Sequence, residues 1–425
     1  MNCSILEFGA NADGKTLNTD AIQKAIDRVA QNGGGKVIVP AGVFLSGTVR
    51  LKDHVELFLE EGAVLKASPD LSHYNDFEEY PQNFQSEREG WSGKHFILAV
   101  CREDVAITGT GTICGNGEAF FDVPHRCKSF NYFWSRGIAK AVNGQRPGQM
   151  IALVECKNLR LTDFHIEDSP CWSLLLHGCE HAEISDLTIR NPICHANTDG
   201  IDLDCCLDVV VKNCDIDAGD DAIAIRCNGK KLTDGRNVCE KIRVLDCKLA
   251  SSACGIRFGV GRGRICDVVC ENLEITRAGC AFELMTAYRK NGDANLDGLN
   301  ISRVHASNVS YPFRLLQWNE SEIRNVHISD YRVQCHCAAS FESELSGKIE
   351  NVHISDFSME IVPAPFLLDE RAPSERGEFA FFASGVRKLL LENVRVQISD
   401  ACKEEWTGLS SFTCCENVTK TNCNF

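Results

Sequence analysis

The chain has 425 residues, too many for one compact core, so either several domains or an elongated repeat architecture is expected. Apolar residues make up 44% and charged residues 24%, ordinary for a folded protein, and no run of ~18 apolar residues is present to span a membrane. The net charge of −15 argues against DNA, RNA or an anionic lipid surface as the main partner.

The start, MNCSILEFGANADGK, has neither the basic n-region nor the apolar h-region of a secretory signal. The expectation is therefore a cytoplasmic, reduced protein, or a secreted one whose signal has been removed. The 24 cysteines fit that reading as small buried thiols. A disulfide scaffold suits short secreted chains, and no C-x-x-C pair is present to suggest zinc. No metal or cofactor is expected.

Asn18 or Thr19 can cap a helix running through about Val29, with Ala21, Ile22, Ala25, Ile26 and Val29 on one face. Gln31-Asn32-Gly33-Gly34-Gly35 stops it. Such a helix, within an N-terminal cap over about residues 1–45, would cover the exposed strand edges at one end of a repeat array. Residues 70–148 are rich in aromatics and turn formers and read as coils carrying long loops. Trp91 and Trp134 there are expected to pack loops rather than bind sugar.

From about 150 to 400 the sequence restates one phrase: alternating apolar residues, an Asn or Asp, then another short apolar pair. LRLTDFHIED (159–168), AEISDLTIRN (182–191) and DVVVKNCDID (208–217) are early copies; NVHISDYRVQ (325–334) and NVHISDFSME (351–360) are later ones. The period-2 alternation and the Val and Ile content indicate strands. Matching positions Leu161, Ile184 and Val211 recur at solenoid spacing, too short for a crossover helix or a propeller blade. The expected fold is an all-β, single-domain parallel β-helix over residues 1–425.

Two segments differ from the other coils: Asn197-Thr198-Asp199-Gly200-Ile201-Asp202-Leu203-Asp204 and Gly219-Asp220-Asp221-Ala222-Ile223-Ala224-Ile225-Arg226. Aligning Ile201 with Ile223 places Asp199 on Asp221, one coil apart. Clustered carboxylates repel, so at least one keeps its proton beside ionised neighbours. That is the equipment for glycoside hydrolysis: an acid for the leaving oxygen and a carboxylate to activate water. Aspartates that merely cap turns are common when isolated, but three in one patch are not.

The opening FGANADGKT…GGGKVIVPAGVFLSGTVRL, the run Ile107-Thr108-Gly109-Thr110-Gly111-Thr112-Ile113, the Ser169-Pro170-Cys171-Trp172 segment and the two acidic signatures together resemble glycoside hydrolase family 28. These are the polygalacturonase-like enzymes of the pectate-lyase-like β-helix superfamily. The resemblance covers nearly the whole chain and implies a right-handed parallel β-helix. It implies Asp220 as general acid, Asp199 and Asp221 as holders of the attacking water, and inversion at the anomeric carbon. Room for that water would set acid and base ~6.5–9.5 Å apart.

The departures are informative. Cys254 stands where the family has the histidine of Gly-His-Gly, and Glu283-Leu284-Met285 where it has Arg-Ile-Lys, whose cations grip a galacturonate carboxylate. Rhamnogalacturonan-type members lack both features. The expectation is an exo-acting hydrolase of pectin-derived oligosaccharides with a neutral or rhamnose-containing leaving side. A polysaccharide lyase, with calcium on the Asp cluster, and a non-catalytic carbohydrate-binding β-helix are the alternatives. Expected substrate contacts are Asn197, which also orients Asp199 or holds a turn, His195, Tyr288 and Arg289. Arg226 and Arg257 either add cationic charge to the groove or pair with the aspartates.

Overall fold

The computed structural model describes residues 1–122, 145–229, 231–288, 292–363 and 378–425. It divides into two compact units, Met1–Asp220 with Lys230–Arg236 and Asp221–Gly229 with Asn237–Phe425. The fold is an all-β, right-handed parallel β-helix with an N-terminal capping helix. No helix among the described residues is long and apolar enough to cross a membrane.

In the first unit the capping helix is Thr19–Gln31, and its buried residues are Ala21, Ile22, Ala25, Ile26 and Val29, the face expected from the sequence. The Asn18 side chain does not cap it. It accepts from the Asn11 amide at 2.7 Å and donates to Thr16 O, tying the entry loop. The Thr19 hydroxyl accepts from the Gly47 amide at 2.8 Å. The helix ends at Gln31 and the chain turns away through Gly33 and Gly34, at φ +83 and +101; a Cβ on Gly34 would lie 2.5 Å from the His54 carbonyl oxygen, so only glycine fits there.

The coils stack in parallel. Lys157–Thr162 pairs with Glu180–Ser185, which pairs with Leu207–Lys212, bringing Leu161, Ile184 and Val211 into one column. All three are fully buried, each stabilising the fold by about 1.5–3 kcal/mol relative to exposure. In most coils the Asn or Asp of the phrase turns the corner after the strand, although Arg303 does so in the 298–307 copy, at φ +52. Asp163, Asp186 and Asn213 sit at φ +75, +57 and +53, a left-handed region these short polar residues tolerate. Asn213 then donates to the Asp186 carboxylate at 3.3 Å, so the corner side chains bond along the stack.

Cysteines fill another column. The thiols of Cys179 and Cys206 donate to Leu153 O and Leu176 O on the preceding coil at 3.1 and 3.2 Å. The described cysteines are free thiols and most are buried, as packing residues should be. The long-loop segment contributes short 3-10 turns at Leu71–His73 and Phe77–Glu79 before strands Ile97–Val100 and Ala106–Gly109. Trp91 is buried against Phe84 and Trp172, with ring centroids 5.6 and 5.7 Å away, so it packs a loop on the coils. Trp134 lies outside the described residues.

In the second unit the strands lengthen: Cys254–Met285, Asp293–Gln317, Ile323–Cys335 and Ile349–Ile361. Ile301, Ile328, Ile354 and Leu391 form the matching aliphatic column. Phe313, Phe341 and Phe381 add an aromatic core, with Phe313 and Phe341 centroids 5.3 Å apart. The C-terminal tail is itself a coil. Glu416–Thr421 pairs with Val386–Glu392, and Phe425 folds back to stack on Phe381 at 5.3 Å.

Candidate active site

In the first unit, Asn197 takes φ +56 and turns the chain into the strand Ile201–Asp204. Three bonds brace that turn. Thr198 Oγ1 donates to His195 O at 2.9 Å, Asn191 Nδ2 donates to Thr198 O at 3.1 Å, and Asp199 O accepts from the Ser173 amide at 2.8 Å. The residue before Asp220 must be glycine. A Cβ on Gly219 would collide with Thr198 Oγ1 and come within 2.6 Å of the carbonyl oxygens of Pro192 and His195. The chain therefore passes close behind the turn, and the carboxylate oxygens of Asp199 and Asp220 lie within 4.8 Å of one another. Asp199 is buried and Asp220 half-buried.

His195, expected to contact substrate, is 1% exposed. Its ring stacks on Phe121 at 4.1 Å, with Nδ1 3.8 Å from Asp168 Oδ1. Burial pushes the Asp168 carboxyl up to about 6, with the charges of Glu118 and Glu167 adding to the rise. His177 is also buried, with Nδ1 3.5 Å from Asp204, whereas His181 is exposed and pairs with Asp208 at 2.7 Å. Sequence reading missed Arg146. Its guanidinium is buried and donates to Asn197 Oδ1 at 2.7 Å, from 51 positions away in the chain.

In the second unit, Asp221 is buried and held by Arg257. Arg257 Nε donates to Oδ2, and Nη2 donates to Oδ1 at 3.1 Å, a forked pairing. The Cys254 amide also donates to Oδ1, at 3.0 Å. Of the two roles open to Arg257, the structure gives the pairing with the aspartate. The remaining arm, Nη1, donates to Glu283 Oε2, and the Cys254 thiol donates to the same oxygen at 3.5 Å.

Glu283 is 8% exposed and pairs in register with Arg314, whose Nη1 is 3.5 Å from Oε1. Anion and cation thus alternate through Asp221, Arg257, Glu283 and Arg314. This ordering is how the fold tolerates carboxylates at buried positions. Arg314 was not legible as a site residue. Its signal was only that it stands one coil beyond Glu283. Tyr288 is exposed, with its ring 5.9 Å from the Arg257 guanidinium. Arg226 is half-buried on Ile223–Cys227. Arg289 lies outside the described residues.

The model of "Glycosyl hydrolases family 28" matches residues 35–313. The chain is 28% identical over 384 residues to a "Probable polygalacturonase" of Vitis vinifera, covering 80% of this chain and 75% of that one. It is 31% identical over 255 residues to an "Exo-poly-alpha-D-galacturonosidase" of Dickeya chrysanthemi, covering 52% of this chain and 41% of that one. Its fold is similar to the family 28 exopolygalacturonase of Yersinia enterocolitica, with a TM-score of 0.69 at 18% identity over 98% of this chain and 78% of that one. The match spans both acidic signatures, and the chain belongs to glycoside hydrolase family 28.

Proposed function

We propose that this family 28 hydrolase is exo-acting and releases galacturonate from short pectin-derived oligosaccharides whose leaving side is a neutral, rhamnose-containing sugar. Asp220 protonates the glycosidic oxygen as it departs. Asp199 and Asp221 hold and deprotonate the water, which attacks from the opposite face and inverts the anomeric carbon. Forked bonding by Arg257 and the bond from the Cys254 amide fix the orientation of the Asp221 carboxylate.

One observation carries the specificity: Glu283 lies between Arg257 and Arg314, a protein carboxylate already neutralising cations that a uronate would need. A second carboxylate arriving there meets repulsion from Glu283. The exo mode draws support from the names of the Dickeya and Yersinia proteins. Release of galacturonate from homogalacturonan is the competing reading, favoured by the polygalacturonase names among the relatives.

Product analysis on a panel of oligogalacturonides, rhamnogalacturonan fragments and neutral rhamnosides separates the two. Faster cleavage of galacturonosyl-α-1,2-rhamnose than of digalacturonate supports the proposal. The reverse order overturns it. Unsaturated products absorbing in the ultraviolet would mark a lyase instead.

A further inference from the structure

Among the described residues, Arg146 is a buried cation with no carboxylate in hydrogen-bonding contact. The residue is 1% exposed, and its bonds go to neutral oxygens. Nη1 donates to Pro170 O at 2.5 Å and to Ala196 O at 2.7 Å; Nη2 donates to Glu89 O at 3.2 Å and to Asn197 Oδ1 at 2.7 Å. Nε has no hydrogen-bond acceptor among the described residues. The plane lies 5.0 Å from the Phe121 ring, and the Arg146 backbone is fixed at both ends by Gly90 O and the Ser92 amide.

Burying a guanidinium without a paired anion is costly, so a residue kept there answers a charge or a geometry nearby. Both are present. Burial lowers its pKa, and Cys171, Glu89, Asp199 and Asp220, when ionised, work against that lowering. Two of its four acceptors, Ala196 O and Asn197 Oδ1, belong to the left-handed turn that leads into Asp199. A lysine, with one compact ammonium, cannot hold Pro170, Ala196, Glu89 and Asn197 at once.

We propose that Arg146 is a positioning residue for the hydrolysis. Its guanidinium locks the Ala196–Asn197 turn so that one carboxylate oxygen of Asp199 stands within 4.8 Å of one of Asp220. It does not touch the sugar. The inference rests on the reading of Asp199 and Asp220 as the reacting pair.

The test compares Arg146→Met, which removes charge and fork, with Arg146→Lys, which keeps only the charge. Asp199→Asn is the reference. For each, kcat and KM are measured on galacturonosyl-α-1,2-rhamnose and on digalacturonate, with the thermal melt and the calorimetric stoichiometry of galacturonate binding. The expected result is a kcat lower by about 100-fold in Arg146→Met and about tenfold in Arg146→Lys, the size of effect that small misplacements of reacting groups produce. KM stays within about threefold and binding stays near one site per chain, because the sugar contacts are untouched.

A kcat within about threefold of wild type in Arg146→Met, while Asp199→Asn is inactive, overturns the inference. So does a loss of kcat in proportion to lost binding sites, which marks a purely structural residue. Should Arg146→Met fail to fold, Arg146→Lys decides: wild-type kcat overturns the inference and a loss at unchanged KM supports it. Activity that survives Asp199→Asn overturns the underlying reading of the pair instead.

Discussion

Replacing Glu283 with glutamine probes how this protein discriminates on the leaving side. The exchange keeps shape and removes one negative charge from a site where the Glu283 and Arg257 side chains are 10% and 13% exposed. Two consequences follow from the geometry. Arg257 loses one of its two anionic partners while keeping Asp221, and Arg314 loses its carboxylate 3.5 Å away. Removing one member of a buried pair costs about 3–5 kcal/mol, and the retained Asp221 contact puts this variant at the lower end of that range. The melt should fall by several degrees but stay cooperative.

Arg314, 26% exposed on its side chain, then becomes available to a substrate carboxylate. A charge-assisted hydrogen bond is worth about 1.5–3 kcal/mol, or roughly 10–100-fold in kcat/KM. The assay is the ratio of kcat/KM for digalacturonate to that for galacturonosyl-α-1,2-rhamnose, measured for both proteins in the same low-salt buffer. The ratio should rise by at least about tenfold in Glu283→Gln. An unchanged ratio in a folded variant would refute the idea that Glu283 excludes a uronate.

Three further outcomes test other parts of the structure. Because Asp168 holds its proton up to about pH 6, the folded chain binds one more proton than the unfolded chain between about pH 4 and 6, and stability falls as pH rises through that window. Asp168→Asn, which keeps an oxygen for the Glu118 amide, should therefore match wild type at pH 4 and exceed it by about 2 kcal/mol above pH 7 in urea melts. Gly219→Ala should cut kcat by at least about 100-fold, since the new methyl displaces the chain beside Asp220, and wild-type turnover would contradict the close packing. A thiol reagent should label the exposed Cys101 and Cys414 rapidly in the native protein and the buried thiols, such as Cys179 and Cys206, only on unfolding. Rapid native labelling of Cys179 or Cys206 would argue against their packing role.

The coil stack was legible because its causes are local and repeated. Alternation placed Leu161, Ile184 and Val211 inward, coil spacing set their register, and the recurrent Asn and Asp marked corners that need φ > 0. The helix face was legible for the same reason. The site was read less completely because its partners are distant in sequence. Nothing near Asn197 announces Arg146, and Glu283 looked like bare repulsion until Arg257 and Arg314 were seen on its two sides. His195 looked accessible beside an acidic motif, yet Phe121, 74 residues earlier, stacks over its ring.

The most direct test of the account is a proton NMR time course with equal concentrations of galacturonosyl-α-1,2-rhamnose and digalacturonate in one tube. The account predicts that free rhamnose appears first and that the galacturonate released is initially the β-anomer, mutarotating later. Earlier consumption of digalacturonate, or initial release of the α-anomer, would contradict it.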